Sequence, residues 1–473
     1  MARIFFIKTH NLLPYNFVTQ PLGVMYLTSV LRQKGDHQVA LLDMRLRPTT
    51  IKEAADKALA FSPDIVGFST LTLEFSVVAE VAREIKARNP KVIIVVGGPH
   101  ASTAPKDVLA KEEIDYVVPG EAEETFPEFV EMIMGNGDPH TIKGIGFMEN
   151  GEVVLTEPRP LVQDLDALPF PAWDILEQEP YFDLPNFNIV VADKHTMPIF
   201  TTRGCPYRCT YCHNIFGKKT RMRSPENVME EIRILYEEYG IREFQVIDDV
   251  FNINNDRAID ICDRIIASGM KLHLSFPNAI RGDIVTPELV QKLKQAGTYK
   301  INYAIETASP RLQQLVKKRV KLEKLKEAIR ITNEAGIWTH GFFMVGFPTE
   351  TREEVQMTFD YACASKLNTA GFFVLQPFPG TEIWDQIAEM GMEIPFDSDD
   401  VNYFQANYKI SEVEPELLFE MVKRGNRRFY LNPMRGINTL MRMPQKRQIF
   451  TFVGMFLQRA LGLAKVKKKD APS

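Results

Sequence analysis

Residues Thr201 to Asn214 read TTRGCPYRCTYCHN and place Cys205, Cys209 and Cys212 within eight residues, in a chain that has five cysteines altogether. Thiolates are soft ligands that suit zinc and iron–sulfur clusters. A structural zinc site closes with four ligands, usually spaced as two pairs. Here one loop supplies three, and His213 is too close to Cys212 in sequence to complete the same tetrahedron easily. Cys262 and Cys363 fall on expected helices, where a free thiol behaves as a small apolar residue. Three incidental cysteines and a zinc site remain alternatives. A cubane held by three cysteines is the third reading, and it leaves one iron open to another ligand. Five cysteines make no disulfide framework and imply a reducing compartment.

The cysteine loop follows an apolar run, PIFTTR (198–203), the first of six. The others are FQVIDD (244–249), KLHLSF (271–276), KINYAIE (300–306), THGFFMVG (339–346) and GFFVLQ (371–376). Amphipathic stretches at 225–239, 256–268, 286–296, 322–335 and 353–365 separate them. Six βα repeats imply an incomplete (β/α) barrel, with its chemistry at the C-terminal strand ends. Upstream, RIFFIK (3–8), QVALLDM (38–44), DIVGFST (64–70), KVIIVVGG (91–98) and DYVVPGE (115–121) alternate with helical patterns at 21–34, 51–61, 75–88 and 103–111. Short apolar strands alternating with helices imply a parallel sheet covered on both faces. Residues 136–190 are rich in Pro and Asp and read as a connector with a hairpin at Glu149-Asn150-Gly151.

The Cys205-x3-Cys209-x2-Cys212 spacing, with Tyr211 before the last cysteine, resembles the radical S-adenosylmethionine (SAM) superfamily over residues 195–395. The resemblance implies a [4Fe-4S] cluster whose open iron chelates SAM, and reductive cleavage to a 5′-deoxyadenosyl radical. It also implies SAM contacts from Tyr211, from Asp248 at the second strand end, from Asn278 and Arg281 in FPNAIRGD, from Glu306 in AIETAS and from Gly346 in MVGFPTET. A helix N-cap is the alternative for Asp248, and a surface salt bridge for Arg281. An electron donor such as flavodoxin or ferredoxin is a further implied partner.

The N-terminal segment lacks GxGxxG after its first strand, which disfavours a dinucleotide. Ser69-Thr70-Leu71 and Gly97-Gly98, with 25 residues between, instead resemble the SxL…GG pattern of Rossmann-like cobalamin-binding domains. GGPHAS adds Pro99 and His100, and PGEAEETF adds Gly120 and Glu121. In place of the family's DxHxxG stands Val18-Thr-Gln20-Pro-Leu-Gly23: valine at the Asp position and Gln20 at the position of the cobalt-ligating histidine. The departure implies cobalamin bound base-off with no protein histidine on cobalt, His10 being read as a loop residue. A degenerate, ligand-free scaffold is the alternative.

Between Lys423 and Lys469 there are 13 Lys or Arg and no Asp or Glu, whereas the preceding 422 residues are acidic overall. Ile449, Phe452, Val453, Phe456, Leu457, Ala460 and Leu461 recur at helical spacing within this stretch. A basic amphipathic helix of this kind lies in a membrane interface; packing on the acidic body is the alternative. No apolar run approaches the roughly 18 residues of a membrane span, so a cytoplasmic chain, peripheral at the inner face of the membrane, is expected. Nothing resembles a nucleic-acid module, and an acidic body repels phosphate.

These readings predict an α/β chain: a cobalamin-binding domain (1–135), a linker with hairpin (136–190), a radical SAM core in a partial (β/α)6 barrel (191–395) and a helical region with a basic tail (396–473). The combination resembles the branch containing anaerobic magnesium-protoporphyrin IX monomethyl ester cyclase and cobalamin-dependent radical SAM methyltransferases. In those methylases the adenosyl radical takes hydrogen from an unactivated carbon, and methylcobalamin delivers the methyl group. Methylation of a lipid, porphyrin-like or other secondary metabolite is therefore expected. Cyclisation or rearrangement without methyl transfer, and a non-catalytic cobalamin sensor or carrier, are the alternatives. A methylthiotransferase would need three further cysteines for a second cluster, and only Cys262 and Cys363 remain.

Overall fold

A computed structural model describes residues 1–10, 18–186, 188, 190–213, 215–394, 403, 408–450 and 453–454. The chain divides into two compact units. The first runs from Met1 to Asn186 and takes in His213–Arg223; the second takes in most of the remainder.

The first unit is built on a sheet of seven strands in the order β2-β1-β3-β4-β5-β6-β7. Arg3–Lys8 (β1), Gln38–Asp43 (β2), Ile65–Ser69 (β3), Ile93–Gly97 (β4) and Tyr116–Val118 (β5) are parallel. Period-two alternation explains why both faces are covered. Phe5 and Ile7 join one buried cluster, with the helices α2 (Ile51–Ala60) and α3 (Phe75–Arg88); Ile4 and Phe6 join another, with α1 (Leu22–Lys34). Burying each such side chain contributes about 1.5–3 kcal/mol. Thr50 and Glu53 close a capping box at the start of α2, which satisfies two otherwise orphaned donors.

The helix expected over 103–111 is two short ones, Pro99–Thr103 (α4) and Pro105–Leu109 (α5). Pro105 cannot donate to a carbonyl one turn back, so the helix breaks there. Thr125–Gly135 (α6) was not anticipated. The hairpin forms as Gly146–Glu149 (β6) and Glu152–Leu155 (β7), turning at Asn150-Gly151, and it extends the main sheet antiparallel to β5. A short helix, Glu179–Phe182 (α7), follows.

The second unit holds six parallel strands in the order β15-β14-β13-β12-β11-β8. They are Thr196–Ile199 (β8), Glu243–Val246 (β11), His273–Ile280 (β12), Thr298–Glu306 (β13), Trp338–Val345 (β14) and Thr369–Val374 (β15). PIFTTR is interrupted at Phe200-Thr201, so Thr202–Arg203 is a separate short strand (β9); Arg221–Met222 is another (β10). Pro225–Glu237 (α8), Asn255–Ser268 (α9), Pro287–Gln295 (α10), Leu322–Glu334 (α12) and Arg352–Ala364 (α13) alternate with the strands. Pro310–Leu315 (α11) is an additional short helix after β13. Ser224, Asn254, Thr286, Ser309 and Thr351 each cap the helix that follows them. Short polar residues there accept from the first-turn amides.

Glu382–Glu389 (α14), Pro415–Tyr430 (α15) and Pro433–Met441 (α16) complete the described helices of this unit. The amphipathic pattern from Ile449 to Leu461 falls largely outside the described residues. Among the described residues, no helix is long and apolar enough to cross a membrane.

Candidate active site

The cysteine loop leaves the C-terminal end of β8, the face where barrels of this class carry their chemistry. Several remote residues pin it. The Thr201 amide and hydroxyl donate to the two Asp248 carboxylate oxygens at 2.6 and 2.5 Å. Arg257 Nη2 donates to the Thr201 carbonyl at 2.8 Å. The Gly204 amide donates to Asp249 Oδ2 at 2.9 Å. Gly204 has φ +89, a conformation a residue with a Cβ adopts only under strain. Thr210 donates through its amide to the Val316 carbonyl at 3.1 Å and accepts from the Ile383 amide at 2.9 Å.

Cys205 and Cys209 are half-buried, and Cys212 keeps an exposed edge. The loop still desolvates Cys212 and, with the neighbouring thiols, pushes its pKa up to about 11. Desolvation first, and the adjacent Asp249 and Cys209 among its other causes, also raises Cys205. The three thiols are thus close enough to repel as anions. Among the described residues no three His, Cys, Asp or Glu side chains converge on one metal ion. In a cubane each cysteine bonds a different iron, so the three thiols need not converge on one point.

A cavity of about 440 Å³ opens beside this loop, entirely within the second unit. Its wall is apolar and aromatic, including Phe342 and Met344 of β14 and Phe373 of β15, with Phe378 and Tyr403 from beyond the barrel. Tyr211, Asn278, Glu306 and Gln376 supply the polar groups. A mostly apolar pocket with a few convergent polar groups is the usual form of a small-molecule site.

Glu306 ends β13 with φ +66, at a register shift against β14. Burial raises its carboxyl pKa; Lys318, whose Nζ lies 3.6 Å from Oε1, opposes that rise. The Tyr211 hydroxyl is buried nearby and makes no protein hydrogen bond of normal geometry. Asn278 Nδ2 donates to the Ile247 carbonyl at 2.7 Å, and Ala279 after it holds φ +75.

Of the residues expected to contact SAM, Tyr211, Asn278 and Glu306 therefore meet in one pocket. Asp248, Arg281 and Gly346 do not line it. Asp248 is buried under the Thr201 donors. The Arg281 guanidinium pairs with Asp283, donates to the Lys318 and Arg319 carbonyls and lies 3.9 Å over the Tyr207 ring. Its partners thus tie the cysteine loop to the end of β12. The Gly346 and Phe347 amides donate to Glu350 Oε2. Lys318, Gln376 and Tyr403 were not anticipated. Lys318 carried a signal, a basic KKR run directly after α11; the other two lie where the strand pattern ends.

In the first unit, Ser69-Thr70-Leu71 and Gly97-Gly98 meet at the C-terminal sheet edge. The Thr70 amide donates to the Gly97 carbonyl, and the His100 amide to the Thr70 carbonyl. Gly98 has φ +90, and a Cβ there would meet the Thr70 amide nitrogen at 2.8 Å. This edge lies beside the point where the strand order reverses at β1, the crevice that receives ligands in open α/β sheets.

Leu71 is exposed, and a Cβ on Gly23 or Gly120 would meet open space. Thr9 Oγ1 and His100 Nε2 are buried without hydrogen-bond partners. An edge with open glycines, an exposed leucine and orphaned polar atoms fits a large cofactor with many amide groups. Gln20 is buried. Pro99 opens α4, and the Gly120 amide donates to Ser102 Oγ at 2.8 Å. Glu121 is in a buried ion pair with Arg221 Nη1 at 2.7 Å and accepts from the Val162 amide at 2.9 Å.

Two family models match: the B12 binding domain over residues 11–130 and the Radical SAM superfamily over residues 199–362. An uncharacterized methyltransferase of Pyrococcus horikoshii is 32% identical over 451 residues, 94% of each chain. The anaerobic magnesium-protoporphyrin IX monomethyl ester cyclase of Cereibacter sphaeroides is 28% identical over 424 residues, 87% of this chain and 67% of that one. Among solved structures, the radical S-adenosylmethionine methyltransferase TsrM of Kitasatospora setae, with cobalamin and a [4Fe-4S] cluster bound, matches with a TM-score of 0.69. Its identity is 22%, over 82% of this chain and 75% of that one.

Proposed function

Because the chain belongs to the cobalamin-binding radical SAM family, we propose that it methylates an unactivated carbon of a lipid, porphyrin-like or other secondary-metabolite substrate. The observation that carries this reading is the second unit's pocket, where the aromatic chamber of about 440 Å³ takes Tyr211 from the cysteine loop itself. When bound, the cluster and SAM supply a 5′-deoxyadenosyl radical, and cobalamin supplies the methyl group.

The chain's own residues bind, orient and exclude water. Cys205, Cys209 and Cys212 would hold three irons and leave the fourth for SAM. Asn278 and Glu306 present an amide and a carboxylate to the polar parts of SAM, the carboxylate accepting from ribose hydroxyls. Phe342, Phe373 and Phe378 wall off water, which protects a radical from quenching. Asp248, Arg281 and Gly346 act by holding the loops that carry these groups. In the first unit, Ser69, Thr70 and Gly98 receive the nucleotide tail of cobalamin, with Leu71, Gly97, Gly23 and Gly120 leaving room for it. Gln20 stands where many relatives place histidine, so cobalamin would be held there base-off, without a protein histidine. Flavodoxin or ferredoxin is the class of electron donor.

Anaerobic reconstitution with iron and sulfide, followed by dithionite and SAM, tests the radical step by formation of 5′-deoxyadenosine. Methyl-labelled SAM then separates methylation from cyclisation, the second reading, which similarity to the cyclase over 87% of the chain favours. Label in the product means methylation; deoxyadenosine with unlabelled product means cyclisation or rearrangement. For cobalamin, a histidine-bound absorption spectrum that His10→Ala abolishes would refute the base-off, histidine-free state.

A further inference from the structure

The helix α16 is inside out. Its buried face is polar. The Arg435 guanidinium donates to the Cys363, Ser365 and Leu367 carbonyls and lies 3.8 Å from the Phe429 ring centroid. Thr439 Oγ1 donates to the Arg435 carbonyl at 2.7 Å and lies 3.2 Å from the Asn368 carbonyl. Arg442, just after the helix, donates to the Asn333 carbonyl at 2.7 Å.

The outward face is apolar. Met434, Ile437 and Met441, at helical spacing, are 71%, 51% and 73% exposed, with Leu431 before them and Phe450 beyond also exposed. An ordinary surface helix does the reverse, burying its apolar stripe and leaving its polar face in water. Scattered exposed apolar residues need no explanation, but a continuous stripe opposite a polar buried face marks an interaction surface.

Charge identifies the occupant. Arg427, Lys446 and Arg447 are exposed. They belong to the stretch with 13 basic and no acidic residues from Lys423 to Lys469. A surface of that sign repels a second copy of itself. It attracts an anionic one.

We propose that the α16 face docks on an anionic lipid bilayer, with Met434, Ile437 and Met441 entering the boundary between headgroups and acyl chains and the surrounding cations meeting lipid phosphates. Asn333, Leu367 and Asn368, which hold α16, precede β14 and β15. The helix therefore lies at the N-terminal end of those strands, opposite the pocket. Docking through it anchors the second unit and leaves the pocket facing away from the bilayer. This surface is an anchor rather than a substrate port, and the inference does not depend on what the pocket methylates.

Flotation of full-length holoprotein with phosphatidylcholine vesicles, with and without phosphatidylglycerol, tests the proposal. Binding is expected only with phosphatidylglycerol and is expected to weaken with added salt. Met434→Asp with Ile437→Asp should reduce it by about tenfold, as should Lys446→Glu with Arg447→Glu. Both variants should retain 5′-deoxyadenosine formation and the gel-filtration volume. Absence of flotation would overturn the proposal. Wild-type flotation of the Met434/Ile437 variant would overturn it too, by assigning binding to the C-terminal segment alone. A dimer that the same variant converts to a monomer, without vesicle binding in either, would assign the face to a second copy.

Discussion

The buried pair Glu121–Arg221 decides whether the PGEAEETF segment serves the cofactor or the fold. The two side chains are 2% and 3% exposed, and both atoms of the contact lie in the first unit. Arg221 Nη1 also donates to the Val162 carbonyl at 2.5 Å, and Nη2 to the Phe216 carbonyl at 2.8 Å. In Arg221→Met the Glu121 carboxylate keeps the Val162 amide but loses the Arg221 guanidinium, and two carbonyls lose a donor. Stranding one member of a buried pair costs about 3–5 kcal/mol. For a unit of this size that lowers the unfolding midpoint by roughly 10 °C. Glu121→Leu with Arg221→Met removes both charges, and should recover most of the loss. Denaturant titration of the full chain, with hydrogen exchange of the β3 and β4 amides as the local readout, measures the change where it arises. The structural assignment is refuted if Glu121→Gln leaves that protection intact while cobalamin no longer copurifies.

Other outcomes follow from the second unit. Glu306→Gln should weaken SAM binding to the reconstituted protein by about 10- to 100-fold, the worth of a hydrogen bond to a charged group; equilibrium dialysis with unchanged affinity would remove Glu306 from the site. Glu350, buried in the loop after β14, has its carboxyl pushed up to about 8, chiefly by desolvation and against the Gly346 and Phe347 donors. Its folded pKa lies above its unfolded one, so the fold holds the extra proton, and stability should fall between about pH 4.5 and 8 by at most about 1.4 kcal/mol per unit. Glu350→Gln should flatten that slope in urea titrations at several pH values. Ala279→Gly should relieve the φ of +75 and stabilise the unit by about 1 kcal/mol, while SAM binding weakens because Asn278 is no longer held; equal affinity would show that the strain serves nothing at the site.

Sequence reading succeeded where a short-range signal carries the physics. The parallel strands are dense apolar runs, and the strand-end position of Glu306 was legible because it closes the run KINYAIE, while its role toward SAM came from the resemblance. Ser69 and Gly97-Gly98 came from the resemblance to the SxL…GG pattern, and the structure brings those segments together at one sheet edge. Sequence reading failed where partners are chosen by loops. Nothing local distinguishes an Arg281 that would face SAM from one that pairs with Asp283 and covers Tyr207. Nothing local couples Asp248 to Thr201, which lies 47 residues away. Tyr403 reaches the pocket from a segment beyond the last strand, and Gln376 from the end of the GFFVLQ run, two residues past the point where β15 stops. The helix α6 was legible in principle, since Phe126, Phe129 and Val130 stand at helical spacing and are buried. The connector reading of 136–190 missed that its hairpin extends the sheet, because strand pairing across an edge has no signature within either strand.

The distribution of backbone strain ties these observations together. In the first unit, Ser62, Asn136 and Asn150 hold left-handed backbone; Asn136 caps α6 and Asn150 turns the hairpin, roles asparagine tolerates at little cost. In the second unit Ala279, Glu306, Lys317, Arg319 and Thr349 do so: Ala279 and Glu306 at the C-terminal ends of β12 and β13, Thr349 in the loop after β14, and Lys317 and Arg319 just after α11. Each such residue costs on the order of 1–3 kcal/mol. The cost is borne by the remainder of the barrel, whose strands are paired along their lengths and carry buried apolar rows. Two of the five, Ala279 and Glu306, sit at register shifts where β12 and β13 bend. The bends place Asn278 and Glu306 in the wall of the same cavity. Lys317 and Arg319 flank Lys318, the cation that meets Glu306. A scaffold that concentrates strain around one polar corner has that corner set before any ligand arrives. Prior positioning of this kind is what radical chemistry requires, because a reactive centre abstracts from whichever carbon is held nearest to it.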